Sequence, residues 1–156
     1  MSEIQDILGD PLLTDAGIAA HRHFEAGNTI VAAGSNDRSL YLIERGTVRV
    51  TGHIELDDHR RIQPGLCDLA VGEVFGELSL YGGATRSASV VAVEDCDLKV
   101  FDADALENFF EQHPEHGYRA LKWLFSVLNQ RLRSADRRLE GLFAWGLRAH
   151  GIDRHL

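Results

Sequence analysis

The sequence is poor in cysteine. Cys67 and Cys96 stand 29 residues apart and no C-x-x-C occurs. The expectation is two buried free thiols in a reducing compartment, with a disulfide or a reactive thiol as alternatives. No stretch approaches the ~20 apolar residues of a membrane helix. The N-terminus, M-S-E-I-Q-D-I-L-G-D, is acidic and has no apolar core of signal-peptide length. The expected location is therefore the cytoplasm. Positive charge is also in short supply, since the net charge is −8. As a bulk effect this opposes nucleic acid and acidic membrane surfaces. No nucleophile, base or metal constellation argues for catalysis. His21-x-His23 is the nearest approach to a metal pair. A cupin-type site would need a glutamate four or five residues later, and Glu25 is only two residues on. The expectations are no enzyme activity, no metal and no cofactor, with a small-barrel metalloenzyme as a remote alternative.

What is present changes character along the chain. Residues 113–156 hold eight Lys/Arg against four Asp/Glu, whereas residues 1–112 hold eight against twenty. A basic tail thus follows an acidic body. Residues 2–9 suit a short helix with Ile4, Ile7 and Leu8 on one side, interrupted by Pro11. From about 21 to 101 the pattern is short strands separated by glycine-rich turns. Strands are expected at His21–Glu25, Thr29–Ala33, Leu40–Glu44, Thr47–Thr51, Leu66–Val71, Val74–Phe75, Ala88–Val93 and Asp97–Phe101, with a hairpin end in the polar residues 57–61. This spacing predicts an antiparallel sandwich or roll.

Helical signals follow. Asp104-Ala105-Leu106-Glu107 resembles a capping box, and Ala105–Gln112 reads as a short helix. Pro114 suits the first position of a long second helix. Tyr118, Leu121, Phe125, Leu128, Leu132, Ala135, Leu139 and Leu142 form a heptad-type stripe. Gly141, Gly146 and Gly151 weaken helicity beyond about 140. The division is therefore 1–112 for the roll with its flanking short helices, and 113–156 for the long helix and tail.

The chain is organised around Phe75 to Ser89, F-G-E-L-S-L-Y-G-G-A-T-R-S-A-S. Gly76 to about Tyr81 reads as one helical turn, followed by a turn at Gly82-Gly83. Glu77 can accept hydrogen bonds from a diol, and Arg86 can pair with a phosphate through parallel N–H donors. Ser87 and Ser89 add hydroxyls. Small residues at 76, 79, 87, 88 and 89 allow close backbone approach. A ligand with hydroxyls at one end and a single anionic group at the other suits these groups. The bland alternative is a loop ion pair in a barrel that binds nothing.

F-G-E-L-S-L followed by R-S-A-S strongly resembles the phosphate-binding cassette of cyclic nucleotide-binding domains. F-E-A-G-N-T-I, G-S-N-D-R-S-L-Y-L-I-E-R-G-T-V-R-V, V-G-E-V-F-G-E-L and V-V-A-V-E-D-C-D-L-K-V-F extend the likeness over about residues 20–112. The resemblance implies a mainly β fold with flanking helices: an antiparallel β-roll, jelly-roll-like and cupin-like, with a short N-terminal and a long C-terminal helix. It implies that Glu77 meets a ribose 2′-hydroxyl and Arg86 the cyclic phosphate. Phe75, Gly76, Leu78, Ser79, Ser87 and Ala88 are the neighbouring cassette positions. Trp123, Leu124, Leu128 and Arg131 are candidates for a lid over the purine.

Two departures bear on ligand identity. The family's bacterial transcription factors place small hydroxyl residues on the long helix to read adenine, where Ala135-Asp136, preceded by Ser134, stand here. The cassette arginine is followed by Ser87 rather than threonine, which leans towards cAMP over cGMP. Beyond Leu142 the sequence has 14 residues, too few for a helix-turn-helix reader. The expectation is a cyclic-nucleotide sensor that changes helix position on binding and signals through a protein effector or a homodimer formed by residues 118–142, without nucleic acid or membrane insertion. The alternative is a ligand-free interaction module using its basic C-terminal helix, whose arginines 131, 133, 137 and 138 otherwise form a solvated face.

Overall fold

The computed structural model describes residues 3–52, 54–56, 60–62, 65–82, 86, 88–149 and 151. Two short helices open the chain, α1 (Glu3–Leu8) and α2 (Pro11–Asp15). Pro11 ends the first by starting the second. Asp10 caps α2 through a 3.0 Å bond from the Leu12 N–H, with proline in the first turn, where a missing N–H costs nothing.

Among the described residues ten strands follow: β1 (Ala19–Phe24), β2 (Thr29–Val31), β3 (Ser39–Arg45), β4 (Val48–Thr51), β5 (Ile54–Leu56), β6 (Arg60–Ile62), β7 (Gly65–Leu69), β8 (Val74–Phe75), β9 (Ser89–Ala92) and β10 (Cys96–Asp102). They form two four-stranded sheets, ordered β1-β10-β3-β8 and β2-β9-β4-β7, and a β5-β6 hairpin. Every pairing is antiparallel. The expected turn at 57–61 lies between β5 and β6, which pair Leu56 with Arg60; residues 57–59 are outside the described set.

Strands β3 and β10 of the first sheet carry buried residues on both faces, which is why L-Y-L-I reads as an unbroken apolar run rather than an alternation. Tyr41, Ile43 and Leu98 point into the roll with Val48, Phe75, Val90 and Cys96. Leu40 and Phe101 point the other way, into a second core with Ile4, Ile7, Leu8, Leu13, Leu106, Phe110 and Leu124. Lys99 is buried on that side. Its Nζ donates to the Leu8 carbonyl at 3.0 Å, placing a cation on the negative end of α1.

Helices α3 (Ala103–Gln112) and α4 (Pro114–Ala149) follow the strands. Asp102 caps α3 by accepting from the Ala105 N–H at 2.9 Å, two residues before Asp104, where the sequence reading placed the start of a capping box. α4 continues to Ala149 despite Gly141 and Gly146. Gly117, Ala120 and Leu124 bury the start of α4 against the second core. The stripe Tyr118, Leu121, Phe125, Leu128, Leu132, Ala135, Leu139 and Leu142 is exposed, so it does not pack on the chain's own roll.

One cysteine departs from expectation. Cys96 is buried and free, but Cys67 is free and exposed. It lies on β7, which among the described residues pairs on one side, with β4. Because Phe101 is fully buried between sheet and helices, Phe101→Ala is expected to cost about 3–5 kcal/mol. Urea unfolding followed by circular dichroism checks this, and a cost below about 1 kcal/mol would contradict a close-packed second core.

Candidate functional site

Gly76 opens the cassette in the left-handed region, φ 83°, and Glu77–Ser79 follow as one turn of 3₁₀ helix. Glycine is required here twice over. Besides the backbone angle, a Cβ would lie 2.5 Å from the Ser39 carbonyl oxygen and 3.0 and 3.1 Å from Arg86 Nη1 and Nη2. The guanidinium therefore lies directly against the start of the cassette.

Arg86 is fixed first through its backbone. Its N–H donates to the Ser35 carbonyl at 3.0 Å, and its carbonyl accepts from the Gly34 N–H at 2.7 Å. Its side chain, 11% exposed, reaches Asp37 Oδ2 at 3.4 Å and donates to the Ser39 carbonyl. Asp37 is held in turn: Oδ1 accepts from Ser39 Oγ at 2.9 Å and Oδ2 from Tyr41 Oη at 2.7 Å. The Tyr41 ring stacks on Phe75, with centroids 4.7 Å apart. Burial, then the hydrogen bond and charge of Asp37, push the Tyr41 phenol up to about 12.

At the other pole Glu77 is 1% exposed. Its Oε1 makes an ion pair with Arg131 Nη2 of α4, without the angular geometry of a hydrogen bond. Buried carboxylates are costly without a counter-charge, and Arg131 supplies it from a residue 53% exposed in its side chain.

Among the described residues, the buried side-chain polar atoms lacking a protein hydrogen-bond partner are Ser35 Oγ, Arg38 Nε, Glu77 Oε1, Ser79 Oγ and Arg86 Nε. All five belong to the cassette or to the loop that enters β3. Buried polar groups are normally satisfied, so these atoms, with Glu77 Oε1 met by the Arg131 charge, make this region the candidate site.

The structure brings together Gly76, Glu77, Arg86 and Arg131. Phe75 lies in the roll core and meets the site through its neighbour Tyr41, Leu78 is exposed, Ser79 is buried and Ala88 half-buried. Ser87 is outside the described residues, as is Gly83 of the expected turn. Of the other lid candidates, Trp123 and Leu124 pack into the second core and Leu128 is exposed. His21 and His23 do not share a ligand; they meet Glu44 and Asp97, each at 2.6 Å, on the outer surface. Sequence reading missed Asp37 and Tyr41. The available signal was a carboxylate four residues before a tyrosine in D-R-S-L-Y, which becomes meaningful only once β3 and β8 are paired.

A profile of the cyclic nucleotide-binding domain matches residues 21–113. The chain belongs to that family. This cyclic nucleotide-binding domain is 34% identical over 119 residues to the cyclic AMP receptor protein of Thermus thermophilus, covering 76% of the chain and 51% of that protein. It is 30% identical over 139 residues to glutaminase 1 of Bradyrhizobium diazoefficiens, covering 88% of the chain and 21% of that protein. The domain thus spans about half of one relative and a fifth of the other. Among solved structures, the catabolite activator protein of Thermus thermophilus superposes with a TM-score of 0.70 at 30% identity, over 90% of this chain and 58% of that one. A cyclic nucleotide-binding domain from Methylobacillus flagellatus gives the same TM-score at 24% identity, over 87% and 80% of the two chains, and so attests the fold.

The Tyr41 contact has a titratable consequence. Its folded value lies above the ordinary 10.0. The stabilisation from this phenol is therefore fully present below pH 10.0 and is lost as pH rises through about 12. Ultraviolet titration is expected to show one phenolate forming near pH 12 that disappears in Tyr41→Phe. If the same phenolate forms at the ordinary value, Asp37 does not hold Tyr41 in solution.

Proposed function

We propose that this domain senses a cyclic nucleotide, with cAMP preferred over cGMP, and reports occupancy through movement of its C-terminal helices. The observation that carries the reading is a buried arginine and a buried carboxylate, Arg86 and Glu77, in one cassette that also holds unsatisfied buried polar atoms at Ser79 and Arg86. A cyclic phosphodiester carries one negative charge, which suits one buried arginine, and a ribose hydroxyl suits one buried carboxylate. The likeness to a cyclic AMP receptor protein supports cAMP as the first ligand to test.

Both poles are engaged by protein charges, Arg86 by Asp37 and Glu77 by Arg131. A ligand bridging the poles competes with the first pair and shares the second. A ligand shifts a conformational equilibrium only by its differential affinity for the two states. Here that difference arises at Arg131, so α4 is the element that ligand repositions, as a lid. The role is regulatory binding, not catalysis, in a reducing, cytoplasmic setting suited to two free thiols. Relatives that carry the matched segment within a receptor and within a glutaminase support a module whose output belongs to an associated protein. The exposed stripe of α4 supports a homodimer through residues 118–142.

Isothermal calorimetry tests the ligand. Arg86→Gln is expected to weaken cAMP binding on the order of 10- to 100-fold, from the loss of a charge-assisted bond worth about 1.5–3 kcal/mol. Absence of heat with both cAMP and cGMP in the unsubstituted protein sinks the reading, leaving the basic interaction helix as the function.

The dimer is tested separately by sedimentation. Leu132→Asp with Leu139→Asp should convert a two-chain species to one chain, because both side chains are exposed on the stripe and a charge there opposes apolar association. An unsubstituted protein that sediments as a single chain removes the dimer.

A further inference from the structure

Asp37 and Arg38 are consecutive, yet they reach different parts of the molecule. Asp37 serves Arg86. Arg38 Nη1 pairs with Asp104 of α3, while Nη2 donates to Glu107 Oε1 of α3 at 3.2 Å and to the Ser79 carbonyl at 3.0 Å. The Arg38 carbonyl also accepts from the Ala103 N–H at 2.9 Å. Asp104 and Glu107 stand three apart, on one face of α3. One arginine thus joins the β3 entry, the end of the cassette turn and the first turns of α3.

Glu107 makes a second connection. The Oε1 that meets Arg38 also accepts from the Tyr81 backbone N–H at 2.6 Å. Tyr81, two residues beyond the cassette turn, has φ 53° and is the non-glycine residue with positive φ among those described. L-residues avoid this region because Cβ crowds the backbone. Such a conformation persists only where surrounding contacts hold it, and it tends to mark segments with a second arrangement available. The Tyr81 ring lies near α3 as well: burial, then Glu111 and Glu107, raise its phenol.

Stability alone is a poor account of this cluster. The Arg38 side chain is 37% exposed and that of Asp104 64%, and exposed ion pairs contribute little. What the contacts do is geometric. They tie the position of α3 to the position of residues 79–81, and α3 leads through His113-Pro114 directly into α4.

We propose that Arg38 and Glu107 are positioning residues that clamp the exit of the cassette to α3, so that rearrangement of Glu77–Ser79 is carried to α3 and on to α4. This route is separate from the Arg131 contact. It rests on the cyclic-nucleotide reading for what moves the cassette, but the clamp is a property of the free chain.

The experiment uses the full chain with Trp145→Phe, leaving Trp123 at the edge of the second core as the fluorescent reporter. Arg38→Met and Glu107→Gln are compared with the parent. In the free protein, hydrogen exchange at the Tyr81 amide and in the first turns of α3 should quicken at least about tenfold in Arg38→Met. On titration with cAMP, the affinity of Glu107→Gln should stay within about threefold of the parent while its Trp123 response is lost. A merely structural role would lower affinity and response together, and that outcome overturns the proposal. So does unchanged Tyr81 exchange, or a full Trp123 response in both variants. If the parent binds no cyclic nucleotide, the ligand reading falls, and exchange in the free chain still decides whether the clamp exists.

Discussion

The burial of one arginine governs the arrangement of this domain. Arg86 places a permanent charge where it is 11% exposed in its side chain, and a charge withdrawn from water needs a partner. Asp37 is that partner, and keeping Asp37 in place recruits Ser39 and Tyr41. Tyr41 must then lie flat on Phe75, at the end of β8, which brings the cassette to the entry of β3. Gly76 completes the chain of necessity, since any side chain there would collide with the Ser39 carbonyl and crowd the guanidinium.

The same sheet that supports this charge is packed on its other face by helices. β3 and β10 contribute to both cores, so the roll and the helical layer share a wall. Among the described residues, polar contacts cross from site to helices through Glu77 with Arg131, Arg38 with Asp104 and Glu107, and the Tyr81 N–H with Glu107. Close-packed interiors transmit displacement because they have few voids to absorb it. The cassette and the helices are joined by direct contacts.

Much of the fold was legible in the sequence. Short strands with glycine turns give local patterns that survive without knowledge of their partners, and the long helix announces itself by its 3-4 spacing. Glu77 and Arg86 stood out in the sequence as a carboxylate and an arginine among small residues in F-G-E-L-S-L and R-S-A-S, but their burial did not. Asp37 was not legible, because its partner lies 49 residues away and D-R-S before a strand reads as an ordinary polar turn. Arg38 was hidden for the same reason, 66 residues from Asp104 and 69 from Glu107. The exposure of Cys67 was misread because residue type predicts burial only on average, whereas β7 pairs on one side among the described residues. The continuation of α4 past Gly141 and Gly146 goes against local propensity, a weak effect of about 1 kcal/mol per glycine that a long helix absorbs.

By itself the sequence determined the kinds of groups available: one small-residue cassette with a carboxylate and an arginine, strands of period two, and an apolar stripe on a basic helix. These are local properties, set by residue chemistry and spacing within a few turns of chain. Tertiary structure alone decided which charges meet. It set Asp37 against Arg86 and Arg131 against Glu77, left the stripe facing outward, and tied residues 79–81 to α3. Those outcomes depend on pairing between segments far apart in the chain, and Coulomb's law acts on distance in space, not on separation in sequence.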